Sequence, residues 1–185
     1  GPIDVVGDSL GALIALEFAL NDPSAVRSLV LSEPPAFWVI PRCERDRNPD
    51  LWKMMAIVRR FKPSLEPTDE DLMAFMQGIG ETNTEGEVPN ISQDDWSARR
   101  RCLRGLSAVA EHVDDVARLA RFHRPVLLVQ GVRTTLFHER INERLAFHLP
   151  FSESLLLPSG HSSDLTARNE FLTALRSFLA SAQYE

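Results

Sequence analysis

A short apolar run that leads through a glycine-flanked serine into an apolar helix is the feature that most constrains the fold of this chain. The stretch reads IDVVGDSLGALIALEFAL and spans residues 3–20. Its β-branched start, closed by Gly7, is typical of a strand buried on both faces of a parallel sheet. Residues 10–20 have helical apolar spacing and one charge, Glu17, so we expect a mostly buried helix. Ser9 then lies where the strand and the helix meet.

A second strand follows closely after this helix. We expect the helix to stop at Asn21 and Pro23, because asparagine often ends a helix and proline cannot continue one. The next segment, RSLVLSEPP, predicts a strand over residues 29–31 that ends before Pro34 and Pro35, which cannot donate hydrogen bonds to a sheet. Strand, helix and strand within about 30 residues predict a βαβ unit with parallel strands.

The rest of the chain divides into a helical part and a second α/β part. Helical spacing without a convincing strand marks the first part, with helices expected at residues 51–61, 69–78 and 94–109. The second part alternates a helix at 112–122, the strand PVLLVQG, a helix at 139–149, the strand SLLLPSG and a helix at 165–182. We therefore predict an α/β fold, a parallel sheet with flanking helices and an inserted helical cap. The expected divisions are core 1–35, cap 36–111 and core 112–185.

Charge and cysteine content exclude several classes of partner. A net charge of −6 and a pI near 5.4 argue against a nucleic-acid surface, and the basic run from Arg99 to Arg104 is interpreted as a charged helix face. Cys43 and Cys102 are too few and too far apart for a disulfide framework or a zinc site. No apolar run approaches a bilayer span and no signal peptide is evident. We expect a cytoplasmic protein with no metal, cofactor, nucleic-acid or membrane partner; its oligomeric state is left open.

The residues around Ser9 match the pattern G-x-S-x-G, with Gly7 and Gly11 on either side. A turn tight enough to strain the central residue requires neighbours without a Cβ that would strike the helix and the adjacent strand. The Leu10 N–H, at the start of the helix, would then face an oxyanion formed beside Ser9. The alternative is a glycine-rich turn in which Ser9 caps the helix. A phosphate loop is disfavoured, because no Lys-Ser/Thr ending and no third glycine follow.

A serine nucleophile needs a base, and the sequence offers one histidine in a suitable place. His161, in LLLPSGHSSDL, follows the last predicted strand and would lie at the same sheet edge as Ser9. The alternative for His161 is a structural loop role. The remaining histidines fall on or near predicted helices, where surface or packing roles are expected: His112, His123, His138 and His148.

The segments VVGDSLGALIALEFAL, VRSLVLSEPP, RPVLLVQG and LLLPSGH together resemble the α/β-hydrolase fold family with a helical cap. The resemblance covers the chain apart from the interior of the cap and corresponds to the C-terminal two thirds of the fold. It implies a serine, acid and histidine triad in that chain order. It also implies that the first strands and the second oxyanion donor lie outside this sequence, which lacks an initiator Met. We expect the chain alone to be poorly soluble or inactive.

The acid of the implied triad departs from the commonest family pattern. Most members carry Asp shortly after the glycine that closes the penultimate strand, but Gly131 is followed by VRTTLF, and no carboxylate occurs before Glu139. The family's second solution is an acid after the strand that follows the elbow helix, which here is Glu33. Pro34 is expected to hold Glu33 in an extended conformation. Asp164, more suited to capping the last helix, or no functional acid at all, are the alternatives.

Two further points narrow the expected chemistry. Haloalkane dehalogenases and epoxide hydrolases of this fold use an Asp at the central elbow position, which here is Ser9 and not Asp8. The cap segment is rich in large apolar side chains, which are either core or the lining of a pocket for a small to medium hydrophobic molecule. They are Phe37, Trp38, Trp52, Met54, Met55, Phe61, Met73, Phe75 and Met76. The sequence predicts a serine hydrolase that cleaves an ester through an acyl-enzyme. Carbon–carbon hydrolysis, perhydrolysis and non-catalytic ligand binding are the alternatives.

Overall fold

A four-stranded parallel sheet forms the centre of the molecule, as the sequence predicts. The computed structural model describes residues 1–81 and 93–182. The strands are β1 (Ile3–Asp8), β2 (Val26–Ser32), β3 (Val126–Gly131) and β4 (Ser152–Leu157). They lie side by side in the order β1-β2-β3-β4, and each pair is parallel. Because all strands run the same way, their carboxyl ends share one edge of the sheet.

Helices cover both faces of the sheet, as expected of a parallel sheet whose central strands are buried on both sides. One core lies between β2 and the helix that follows Ser9, where Leu16 and Leu29 are fully buried. A smaller core lies on the other face, where Val30 and Val129 pack with Phe171 of the last helix. The sheet is therefore a middle layer that presents its carboxyl edge to the loops.

The helices follow the predicted order, although their limits differ in places. They are α1 (Leu10–Asn21), α2 (Arg42–Arg45), α3 (Pro49–Arg60), α4 (Asp69–Gly78), α5 (Gln93–Leu103), α6 (Ser107–Glu111), α7 (Val116–Leu119), α8 (Leu136–His148), α9 (Ser163–Thr166) and α10 (Arg168–Ser181), with a 3-10 helix at Phe37–Val39.

Three predicted helices are shorter than expected. The helix expected at 94–109 is interrupted at Gly105, whose φ of +81° has the left-handed value that ends helices. The helix expected at 112–122 reduces to α7, which begins where the Asp115 side chain accepts a hydrogen bond from Ala117 N–H. The last helix is broken between α9 and α10 at Ala167, whose φ is −126°. Each break is a local backbone event that apolar spacing does not record.

The helical segment between β2 and β3 lies over the carboxyl edge of the sheet. Its inner faces are buried, with Leu51, Met54 and Val58 of α3 and Met76 of α4 inside the larger core. Two arginines of α5 form ion pairs with acidic side chains of the same segment, Arg99 with Glu81 and Arg100 with Asp69. Within the described residues, no helix has both the length and the apolar character needed to cross a bilayer.

Candidate active site

Ser9 occupies a strained position between β1 and α1. Its φ is 50° and its ψ is −120°, values that a non-glycine residue rarely adopts. The turn leaves no room at Gly7, where a Cβ would lie 2.5 Å from the carbonyl oxygen of Gly11. The Ser9 side chain makes no capping hydrogen bond to α1. The alternative of a simple capping serine is therefore wrong.

The second elbow glycine behaves differently from the prediction. A Cβ at Gly11 would meet nothing within 4 Å among the described residues, so the clash expected there is wrong. Gly11 lies in the first turn of α1, where its Cβ would point away from the turn that Gly7 closes. Tight packing thus requires only the first glycine of the pattern.

Three side chains from the carboxyl ends of different strands meet in one hydrogen-bonded row. His161 Nε2 lies 2.9 Å from Ser9 Oγ, and His161 Nδ1 lies 2.7 Å from Glu33 Oε2. Ser9 follows β1, Glu33 follows β2 and His161 follows β4, so the shared sheet edge brings them together. Glu33 and His161 are almost fully buried.

Glu33 reaches this position through an unusual backbone conformation. Its φ is +43°, so the extended conformation expected before Pro34 is wrong. Hydrogen bonds from distant parts of the chain hold the side chain and outweigh the local preference: Gly131 N–H donates to Oε1 at 2.9 Å, and Thr134 Oγ1 donates to Oε2 at 2.8 Å. With His161 included, three donors surround this buried carboxylate.

The loop after β3 takes part in the site without a carboxylate. Thr134, three residues after Gly131, stands where most family members were expected to have Asp, and it supports Glu33 instead. Asp164, the alternative acid, lies in α9, while the Nδ1 of His161 already bonds Glu33. Asp8 precedes the strained position and makes no described hydrogen bond to His161.

One histidine that sequence reasoning did not place at the site lies directly against it. His138 is 2% exposed, and its ring is stacked on that of His161 with centroids 4.6 Å apart and planes 17° apart. Its Nδ1 is 3.0 Å from Thr135 Oγ1 and 3.5 Å from Glu33 Oε2. One sequence signal could have placed His138 at the site. His138 lies near the start of the helix that follows β3, and that helix begins at the same edge of the sheet as Ser9 and His161.

The two stacked histidines have opposite proton affinities. Burial would lower the pKa of His161, but the hydrogen bond and negative charge of Glu33 outweigh burial and raise that pKa above its ordinary value. Burial, reinforced by the neighbouring His161, holds the pKa of His138 well below its ordinary value. His161 is therefore the ring that can take a proton, while His138 stays neutral.

Asp8, beside Ser9, is a buried acid outside the hydrogen-bonded row. Burial raises its pKa to about 6, and the nearby negative charge of Asp164 raises that pKa further. Asp8 Oδ1 and Ser32 Oγ are buried without a hydrogen-bond partner in the described structure, although β1 and β2 place these two residues directly opposite each other. Asp8 thus carries a proton more readily than an exposed aspartate.

A small cavity opens beside Ser9 under the helical segment. Its volume is about 40 Å³, and the described residues that line it are apolar apart from Ser9 and His138. Three of the apolar residues singled out between β2 and β3, Phe37, Met54 and Phe75, line it. Of the others, Trp52 is exposed, Met73 is partly buried and the rest are buried elsewhere.

Three side chains at the site, Glu33, His138 and His161, are of types that bind metal ions. Glu33, His138 and His161 place one ligand atom each within 4.8 Å of one another. A metal ion must lie in the plane of each imidazole about 2 Å from its nitrogen. The two rings are stacked in nearly parallel planes, so one ion cannot meet this condition for both. The arrangement fits a proton relay better than a metal centre.

The Leu10 N–H is placed to meet an anion beside Ser9. As the first residue of α1, Leu10 has no acceptor within the helix for this N–H. The positive end of the helix dipole lies at the same point. Leu10 also lines the cavity, so the expected donor and the expected substrate space adjoin.

Comparison with known proteins agrees with this architecture. The family model described as alpha/beta hydrolase fold matches residues 1–166. The chain therefore belongs to the α/β-hydrolase fold family.

The individual proteins that this chain resembles share less than a third of their residues with it. The pimeloyl-[acyl-carrier protein] methyl ester esterase of Shewanella woodyi is 29% identical over 188 residues, which cover 94% of this chain and 69% of that protein. MenH from S. aureus superposes with a TM-score of 0.71 at 18% identity over 98% of this chain and 69% of that one. A hydrolase from Pseudomonas aeruginosa superposes with a TM-score of 0.66 at 24% identity, covering 96% and 64%. The chain thus spans about two thirds of the length of these proteins.

Proposed function

We propose that the protein is a serine hydrolase that cleaves an ester or a related carbonyl compound through an acyl-enzyme. The observation that carries the proposal is the continuous row from Ser9 Oγ through His161 to Glu33, which begins at a strained elbow. A serine hydroxyl becomes an effective nucleophile only when a base is positioned to take its proton. The row places that base within hydrogen-bond distance.

The proposed reaction has two halves, the formation of the acyl-enzyme and its hydrolysis, and the same side chains act in both. Ser9 Oγ attacks the carbonyl carbon while His161 Nε2 takes its proton, and Glu33 stabilises the imidazolium and holds Nδ1 protonated. The oxyanion accepts a hydrogen bond from Leu10 N–H. His161 then returns the proton to the leaving alcohol. Water, deprotonated by His161, attacks the acyl-enzyme, and Ser9 regains its proton as the acid departs.

We further propose that residues 36–111 form a cap and that the substrate is a small hydrophobic molecule. The apolar lining and the volume of about 40 Å³ favour a short acyl group beside Ser9. The printed name of the relative from Shewanella woodyi, an esterase of a methyl ester, supports ester cleavage as the reaction. Carbon–carbon bond hydrolysis and perhydrolysis need the same three side chains as ester hydrolysis. Because the site alone does not separate these reactions, activity on a panel of substrates distinguishes them.

Labelling by a fluorophosphonate probe tests the nucleophile directly. In the full-length protein, wild type is expected to bind the probe covalently and Ser9→Ala to lose at least 99% of the label, about the loss expected when a sole nucleophile is removed. Ser24→Ala, at an exposed turn serine bonded to Asp22, is the matched control and should label fully. An unlabelled wild type, or a labelled Ser9→Ala, would contradict the proposal. A p-nitrophenyl acetate, butyrate and octanoate series then tests the preference for short acyl groups.

A further inference from the structure

Hydrogen bonds hold both ring nitrogens of His161. Those two bonds alone do not stop the ring from rotating. Its two ring nitrogens bond Ser9 at 2.9 Å and Glu33 at 2.7 Å, and an imidazole nitrogen forms hydrogen bonds along directions in the ring plane. A ring tied at two opposite edges can still roll about the line that joins its partners. The stacked ring of His138, 4.6 Å away and tilted by 17°, occupies one face of His161 and blocks that movement.

His138 is itself fixed more firmly than an ordinary packed side chain. It is the third residue of α8, and its Nδ1 bonds Thr135 Oγ1, from the residue that precedes the helix, at 3.0 Å. The neighbouring Phe137 ring lies 4.2 Å away. Helix, hydroxyl and aromatic neighbour together fix the plane of the ring that His161 lies against.

His138 also suits the charge that His161 acquires during the proposed reaction. A neutral aromatic face attracts a cation within about 6 Å of its centroid. His138 is kept neutral by burial, and the start of α8 disfavours a positive charge there. The charged and titratable groups around the pair are acidic: Glu33 faces both rings, while Asp8 and Glu81 act on His161. A temporary positive charge on His161 is thus stabilised by these acidic groups and by the ring of His138 on one face.

We propose that His138 is a positioning residue for His161: it holds the imidazole in the plane that meets Ser9 and Glu33, and its neutral face stabilises the imidazolium. This inference rests on the proposed function, in which His161 accepts the proton of Ser9. His138 stacks on His161 and makes no described hydrogen bond to Ser9, so the proposed effect passes through the base, although His138 also lines the small cavity. None of the family's expected triad residues performs this task.

Three variants of the full-length protein separate the stack from simple packing. His138→Phe keeps an aromatic face and removes the nitrogens, while His138→Ala removes the face as well. His123→Phe is the control, because the exposed His123 packs against Phe151 at 5.9 Å outside the site. Thermal unfolding of each variant establishes that it is folded before the other measurements are made.

The expected results differ in rate and in pH dependence. His138→Ala should lower kcat for a short ester about tenfold or more and move the acid limb of the pH profile down by about one unit, because the imidazolium loses its support. His138→Phe should lose only about threefold in kcat and keep the acid limb. His123→Phe should match wild type. A purely structural role for His138 would lower thermal stability without moving the acid limb.

The proposed function and this inference fail in different ways. If wild type is not labelled at Ser9 by the fluorophosphonate, the proposed function is wrong. The NMR titration of His161 in His138→Ala and His138→Phe still tests the stack in that case. If wild type is labelled, and His138→Ala is labelled at the same rate with the same pH midpoint, the inference is wrong and the proposed function stands. A midpoint that moves equally in His138→Phe and His138→Ala would also overturn it.

Discussion

At the scale of single residues, the site depends on where its charges are buried. Glu33 is fully buried but receives hydrogen bonds from Gly131, Thr134 and His161, whereas Asp8 is largely buried with one oxygen unpaired. The two carboxyl groups at this sheet edge therefore differ in how far hydrogen bonds stabilise their negative charge. A testable prediction follows for each.

Glu33→Gln should lower kcat by about 10³- to 10⁴-fold, because the amide no longer holds His161 in the required tautomer or stabilises its charged form. Glu33 raises the pKa of His161, so its removal should also move the acid limb of any residual activity to lower pH. The pH profile of kcat/KM measures both effects. Glu153→Gln, an exposed glutamate on β4, is the control. Near-normal activity of Glu33→Gln would indicate another acid or none.

Asp8→Asn should change the pH dependence of stability. The pKa of Asp8 is raised to about 6 from 3.8, so between these values the unfolded chain loses the proton first, and the free energy of unfolding falls as pH rises. The full loss, about 3 kcal/mol by the standard conversion, is reached above pH 6 and is absent below pH 4. Asp8→Asn should therefore be more stable than wild type at pH 7.

Urea unfolding at pH 4, 5, 6 and 7 measures this difference between Asp8→Asn and wild type. Asp46→Asn, at an exposed position away from the site, is the matched control for the change from aspartate to asparagine. A constant offset between Asp8→Asn and wild type at all four pH values would show that Asp8 does not titrate as described.

At the scale of elements, the elbow depends on unequal glycines. Gly7→Ala should destabilise the fold by about 3 kcal/mol or more, since its Cβ would lie within 2.7 Å of three backbone atoms of the following helix. Gly11→Ala meets no described atom within 4 Å and gains helix propensity of about 1 kcal/mol. Thermal unfolding of the pair compares them. Equal destabilisation by both substitutions would contradict this account.

The element scale also shows what apolar spacing predicts well and poorly. The strands and α4 were predictable, because apolar β-branched runs and helical apolar spacing are local signals that the structure follows; Thr68, which caps α4, was not used in that prediction. The breaks at Gly105 and Ala167 were not predictable, because apolar spacing does not record a local change of backbone angle. The conformation of Glu33 was not predictable, because distant residues, Gly131 and Thr134, hold its side chain. The described part of residues 36–111 is helical as expected, but the helix expected at 94–109 is divided into α5 and α6. In the α/β part that follows, the helix expected at 112–122 reduces to α7.

At the scale of the whole molecule, one side carries several exposed large apolar side chains on β1 and α1. β1 lies at the end of the sheet order and pairs only with β2 among the described strands. Ile3 and Val6 on this strand are 55% and 47% exposed, and Ile14 and Phe18 of the adjoining α1 are 61% and 42% exposed. Unpaired strand edges and contiguous apolar patches favour association between molecules.

We therefore predict that the 185-residue chain, expressed by itself, self-associates. Size-exclusion chromatography with light scattering should show species larger than a monomer, and Ile14→Lys with Phe18→Glu should shift the population towards the monomer. Leu165→Lys, at an exposed site on α9, is the control for added charge alone. A monodisperse wild-type chain at high concentration would contradict the prediction.

The sequence by itself determined the alternation of strands and helices, the elbow at Ser9 and the candidates His161 and Glu33, because these depend on local patterns and on the rule that parallel strands end at one edge. Only the tertiary structure decided how these residues meet. It brought Thr134 and Gly131 to Glu33, stacked His138 on His161 and made Gly7 but not Gly11 indispensable to the turn. The hydrogen bonds to Glu33 join residues about 100 positions apart, and the histidine stack joins two separate elements, so no local pattern encodes them. The clash at Gly7 involves residues close in the chain, but it depends on the exact path of the backbone through the turn.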